Sequence, residues 1–164
     1  MSRPTSDTTA GARRLVIAGC SRRKLATAMP VPALELYQGG CVPALRARLG
    51  AHPSCRRRVR ILSAEHGLVG ADTALLPYDR PLTLERAVAL QPAVLAALTP
   101  ELSLTPDGPP GQVELLALLE PLYLVPLAGV LALPGPGRPR IHWVPDPTEG
   151  WPAAAAILDA WGWP

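Results

Sequence analysis

Fifteen of the sixteen basic residues in this 164-residue chain are arginines, and the sixteenth, Lys24, is the sole lysine. An arginine stays charged, whereas a desolvated lysine can give up its proton and act as a nucleophile or base. Lys24 closes the run Cys20-Ser21-Arg22-Arg23-Lys24, directly after an apolar segment. A loop that follows a strand can turn backbone N–H groups toward an anion. Ser21 would add a hydroxyl there, and Arg22, Arg23 and Lys24 would add charge. The Gly-x-x-x-x-Gly-Lys spacing of a Walker loop is missing. Cys20 reads in two ways, as a thiolate stabilised by three cations or as a small buried residue at a strand end. The second reading is favoured.

A second group, Ser63, Glu65, His66 and Gly67, sits after another short apolar run. An imidazole changes charge near neutral pH, so His66 is a candidate acid or base. Glu65 could take the base's part instead, or hold a ribose hydroxyl. The plainer alternative is a tight turn in which Gly67 supplies the dihedral, Ser63 caps and His66 is solvated. A third group is Tyr37, Tyr78 and Asp79, in Leu-Tyr-Gln-Gly-Gly and Leu-Pro-Tyr-Asp. Either ring could stack on a base while its hydroxyl orients a phosphate or carbonyl. Tyr37 could equally fill space in a core that lacks Phe, and Asp79 could pair with Lys24 or an arginine.

These groups need a scaffold, and the composition allows one. A chain of this length and 48% hydrophobic content can build one buried core. With no Phe and 21 prolines, aliphatic side chains must fill that core and the loops must be stiff. No apolar run reaches the roughly 20 residues of a membrane span, and residues 1–12 have no signal-peptide core. They read as a disordered lead-in to a single cytoplasmic domain over 13–164. Three cysteines (Cys20, Cys41, Cys55) at unrelated spacings suit reduced thiols rather than a disulfide framework or a zinc site. No metal and no cofactor are expected. Charge is uneven: residues 1–71 hold twelve Arg and Lys against three acids, and residues 72–164 four Arg against ten acids. A basic half can attract phosphates or nucleic acid, and Arg22, Arg23, Arg56, Arg57 and Arg58 are its candidate contacts.

Along the chain, Arg14–Gly19 and Val59–Ser63 read as buried strands. Ala33–Gln38 reads as a short helix stopped by Gly39-Gly40, and Val42–Leu49 as a helix with proline in its first turn. Thr83 is a candidate N-cap for a helix through Leu98, with a break near Pro92. Pro100–Gly111 reads as a loop, Val113–Leu119 as strand or helix, and Pro121–Leu133 as an interrupted apolar segment. Ile141–Val144 is a candidate late strand and Trp151–Trp161 a terminal helix. The four tryptophans there read as core closure. Strands alternating with helices predict an α/β domain, a mainly parallel sheet flanked by helices. Ligands in such sheets sit outside the carboxyl ends of the strands, where Cys20–Lys24 and Ser63–Gly67 are expected.

Four segments in order resemble a family of small bacterial and phage domains of uncharacterised function. They are Cys20-Ser21-Arg22-Arg23-Lys24, Leu36-Tyr37-Gln38-Gly39, Ile61–Leu68 and Pro77-Tyr78-Asp79. The resemblance covers about Leu15–Leu82 and fades beyond residue 100. The Leu-Ser-Ala-x-x-Gly-Leu and Pro-Tyr segments are also distantly similar to the YaaA-type peroxide-stress proteins, which are associated with DNA binding. The Cys-x-x-x-Lys spacing is similar to the archaeosine synthase core domain, where the lysine is linked to the nitrile of a deazaguanine base. Leu25-Ala26 stands here in place of that domain's Pro-Tyr.

Both resemblances imply nucleobases or nucleic acid. The expectation is an enzyme acting on a nucleotide, nucleoside or modified nucleobase, with cleavage or exchange of an N-glycosidic bond as the first reaction to try. Lys24, Glu65 and His66 would do the chemistry, and Cys20, Ser21, Tyr37, Ser63, Gly67, Tyr78 and Asp79 would hold the substrate. Two alternatives stand beside it: a non-enzymatic nucleic-acid-binding stress protein, and a module that senses a nucleotide without turning it over.

Overall fold

A computed structural model describes residues 12–102, 113–136 and 138–164. The lead-in read over residues 1–12 lies outside the described residues except for Ala12. The elements in chain order are β1 (Arg13–Gly19), β2 (Val31–Pro32), α1 (Ala33–Leu36), α2 (Val42–Leu49), α3 (Pro53–Arg56), β3 (Val59–Ser63), β4 (Gly67–Gly70), β5 (Ala74–Leu75), α4 (Leu84–Leu102), β6 (Val113–Leu118), α5 (Pro121–Leu124), a 3₁₀ turn (Val125–Leu127), α6 (Ala128–Leu131), β7 (Arg140–Val144) and α7 (Trp151–Ala160).

Five strands form one sheet in the order β4-β3-β1-β6-β7. All neighbours are parallel except β4, which folds back antiparallel on β3. The central strand β1 is apolar on both sides, with Val16 and Ile17 fully enclosed, as a parallel strand covered on both faces must be. One face packs against α1, α2 and α7 through Leu34, Leu45, Leu49, Ala154 and Leu158. The other packs against α4 and the α5–α6 segment through Leu90, Val94, Leu98, Leu127 and Val130. The chain moves from β1 to β3 in one direction, then crosses back over β1 to β6 and β7. With right-handed crossovers, that reversal places the helices on opposite faces. It also opens a crevice between β1 and β6 at the carboxyl ends of the strands.

The expected α/β architecture is therefore present, with local differences. Thr83 caps α4 as expected, its Oγ1 accepting the Arg86 N–H at 3.1 Å. The helix does not break at Pro92. It continues through Pro92 and Pro100 to Leu102, because both rings face solvent while Leu90, Val94, Leu98 and Leu102 stay buried. Pro100–Leu102 are thus helix rather than loop, and 103–111 lie outside the described residues. Val113–Leu118 resolves as strand because it pairs with both β1 and β7. The interrupted run after it forms three short helical pieces, two of them with proline at the start, where its missing N–H costs nothing. The first helix ends at Leu36 rather than Gln38, because Tyr37 turns extended and bridges to Lys24. Among the described residues, no helix is long and apolar enough to cross a membrane.

Candidate functional site

A cleft of ≈ 910 Å³ occupies the crevice between the ends of β1 and β6. One wall is the loop after β1, from Gly19 to Lys24, and the facing wall is Glu120, Leu122 and Tyr123 after β6. Asp79–Leu82 and Pro147-Thr148 complete the rim. The volume falls in the range of small-molecule sites, and the position is the one open α/β sheets use for ligands.

The β1 loop is held by its own polar groups. Ser21 Oγ donates to the Arg23 carbonyl at 2.7 Å and accepts the Gly39 N–H at 3.0 Å. A Cβ on Gly39 would stand 3.0 Å from the Ser21 Cβ, so glycine allows the two loops to meet this closely. The backbone bonds Leu25 N–H to Leu36 O and Gln38 N–H to Arg23 O continue the attachment. Arg22 and Arg23 remain exposed on the cleft wall.

Behind that wall Tyr37 and Tyr78 meet. Lys24 Nζ lies 4.3 Å from the centre of the Tyr78 ring and 5.9 Å from that of Tyr37. Tyr37 and Tyr78 are joined hydroxyl to hydroxyl at 2.7 Å. Across the cleft, the Tyr123 hydroxyl meets Cys20 Sγ at 3.1 Å. Burial pushes the Tyr78 hydroxyl well above the ordinary phenol range, and the nearby Cys20 thiol adds to it. Tyr123 is raised for the same two reasons. Tyr37 is also raised by burial, with hydrogen bonds to Ser63 and Tyr78 acting the other way. All three phenols therefore stay protonated and able to donate. Aromatic faces attract a cation, so the seat of Lys24 over two rings suits a fixed ammonium better than a free nucleophilic amine.

The second turn joins this cluster from the rear. Ser63 is fully buried. Its Oγ accepts the N–H groups of Glu65 at 3.2 Å and His66 at 3.0 Å. With its acceptor sites so used, its own O–H is left to donate to the Tyr78 hydroxyl, 2.6 Å away, and Tyr78 in turn to Tyr37. The turn closes the β3–β4 hairpin, where Gly67 takes φ +75°, a conformation costly for any residue with a Cβ. Arg86 of α4 pins it by donating to the Ala64 and Glu65 carbonyls at 2.9 and 2.7 Å.

The structure thus separates the sequence-derived candidates. Cys20, Ser21, Arg22, Arg23, Lys24 and Asp79 line the cleft. Tyr37, Ser63, Gly67 and Tyr78 support its wall without lining it. Glu65 and His66 lie on the hairpin turn outside the lining, Glu65 paired with Arg80 at 3.3 Å and His66 exposed, edge-on to the Tyr78 ring at 5.3 Å. The basic candidates do not form one patch. Arg56, Arg57 and Arg58 precede β3, at the opposite end of the sheet from Arg22 and Arg23. Arg56 is moreover held by both Glu35 oxygens, at 2.9 and 2.8 Å, and by Asp72 at 2.6 Å. Sequence reasoning missed Glu120 and Tyr123, the cleft's facing wall. The strand-end rule that selected Cys20 and Ser63 selects them too once Val113–Leu118 is known to be a strand.

Among the described residues, no three His, Cys, Asp or Glu side chains gather as a metal would need. Cys20, Cys41 and Cys55 are free thiols. Compared with known proteins, the chain matches no family model, no curated protein and no solved structure.

Proposed function

We propose that this chain is a small cytoplasmic enzyme whose cleft takes a nucleotide, nucleoside or modified nucleobase, and that it cleaves or exchanges an N-glycosidic bond. The observation that carries this reading is the cleft at the sheet's switch point, with Arg22, Arg23 and Lys24 on the β1 wall, Glu120 on the facing wall and Asp79 beside Arg80 on the rim. Arg22, Arg23 and Lys24 would hold an anionic group such as a phosphate, with Lys24 fixed as a charge by the two phenol rings. Glu120 and Asp79 are the carboxylates that line the same space, so they take over the proton-moving part first read into Glu65 and His66. In a glycosidic cleavage one of them protonates the departing base, and the other draws a proton from the attacking water or incoming base. Tyr123 and Cys20 face the substrate between them. The distant similarity of the Leu-Ser-Ala-x-x-Gly-Leu and Pro-Tyr segments to the YaaA-type proteins, and of the Cys-x-x-x-Lys spacing to the archaeosine synthase core domain, points the same way.

The test is a thermal-shift screen against nucleotides, nucleosides and free bases, followed by chromatographic analysis of products for each hit. Release of a free base, lost in Glu120→Gln or Asp79→Asn, supports the reading. Stabilisation without any product makes the chain a sensing module instead. No stabilisation by any of these compounds removes the proposal.

A further inference from the structure

The end of the sheet remote from the cleft carries a second charged feature. The strands β3, β1, β6 and β7 all begin there. Arg57 and Arg58 stand just before β3, Arg13 and Arg14 open β1, and Arg138 and Arg140 stand at the start of β7. The register sets Arg14 level with Glu114, and Glu114 level with Arg140. Adjacent strands are about 4.8 Å apart, so the row from β3 to β7 extends about 14 Å.

Among the described residues, the acids on this edge are already engaged. Glu114 holds Arg14 at 2.9 Å and His142 at 3.3 Å, and Glu101 pairs with Arg60. Arg57, Arg58, Arg138 and Arg140 are exposed and have no ion pair among the described residues. Beside β7, Arg138 and Arg140 line a hollow of ≈ 690 Å³ with Leu131 and Ile141. Like charges left unpaired along one edge repel one another and disfavour the compact state. A bound polyanion would reverse that effect.

We propose that this edge docks the phosphodiester backbone of a nucleic acid, independently of the cleft. The guanidinium fork matches phosphate oxygens in pairs, which favours a phosphate polymer over a carboxylate one. About 14 Å of duplex carries about four phosphates on each strand, equal to the number of unpaired guanidiniums. The contacts reach only backbone charge, so binding is independent of sequence.

The experiment is fluorescence anisotropy with a labelled DNA oligonucleotide, single- and double-stranded, titrated from low to moderate salt. Four phosphate contacts predict a log–log salt slope of about −3.6 on duplex, or roughly a 150-fold loss of affinity from ~50 to ~200 mM salt. The variant Arg57→Gln/Arg58→Gln/Arg138→Gln/Arg140→Gln should lose most of that slope while melting no lower than the wild type, since all four side chains are exposed and their mutual repulsion is removed. Arg22→Gln/Arg23→Gln should leave the slope unchanged, which separates this proposal from the fate of the cleft reading. A wild-type slope in the fourfold variant overturns the proposal. So does a loss that follows Arg22 and Arg23 instead, or binding to phosphatidylserine vesicles or polyglutamate in preference to DNA.

Discussion

Ser63→Ala should destabilise this protein more than any other single-atom deletion around the cleft. The hydroxyl is fully buried and serves three partners at once, the N–H groups of Glu65 and His66 and the hydroxyl of Tyr78. Its removal strands both N–H groups and unties the hairpin turn from the tyrosine pair. An unsatisfied buried polar group costs about 1–3 kcal/mol. The turn is only part-buried, so water can reach some of what is freed, and the total should be about 2–4 kcal/mol. For a chain of this size, 3 kcal/mol corresponds to a fall in Tm of about 6–12 °C. Tyr78→Phe removes one hydroxyl and leaves the two N–H bonds to Ser63 intact, so it should cost about 1–2 kcal/mol. Urea unfolding of both variants and of the double variant would give the coupling between them, expected at about 0.5–3 kcal/mol for groups in direct contact. A loss below 1 kcal/mol in Ser63→Ala would refute the reasoning. So would a Tyr78→Phe loss as large as that of Ser63→Ala.

Stability should also decline in alkali. The three phenols are raised above their unfolded values, so the folded protein holds protons that the unfolded chain releases. That contribution is complete below about pH 10 and shrinks as pH rises beyond it, by up to about 1.4 kcal/mol per pH unit for each phenol. Urea midpoints on either side of pH 10 would measure it, and an unchanged midpoint would contradict it. Cys41 should resist alkylation, since burial and the neighbouring Asp146 raise its thiol to about 11 and its Sγ–H is bonded to the Pro147 carbonyl. Timed labelling of the folded protein should modify the partly exposed Cys20 and Cys55 before Cys41.

The strands were legible wherever burial on both faces left a run of apolar residues, as in Arg14–Gly19 and Val59–Ser63. Val113–Leu118 was not, because Leu-rich composition suits either helix or strand and only pairing with β1 and β7 decides between them. That ambiguity hid Glu120 and Tyr123. The loop Cys20–Lys24 was found because a strand end in an α/β sheet is a defined place. Glu65 and His66 were given chemistry by the same rule. There β4 turns back antiparallel on β3, and the two residues sit on the hairpin turn beside the cleft rather than in its lining, with Glu65 paired to the rim residue Arg80. The arginines were counted as one basic half since the sequence carries no direction. In the fold, Arg22 and Arg23 follow one strand while Arg56–Arg58 precede the next parallel one, and so they stand at opposite ends.

The central claim is that ligand binds between the ends of β1 and β6. Amide hydrogen exchange with and without a stabilising nucleotide would test it most directly. Slowed exchange in 20–24 and 120–123, with little change in 56–60 and 138–141, is the predicted pattern. Protection confined to the arginine-rich edge, with the crevice residues exchanging as they do in the free protein, would contradict it.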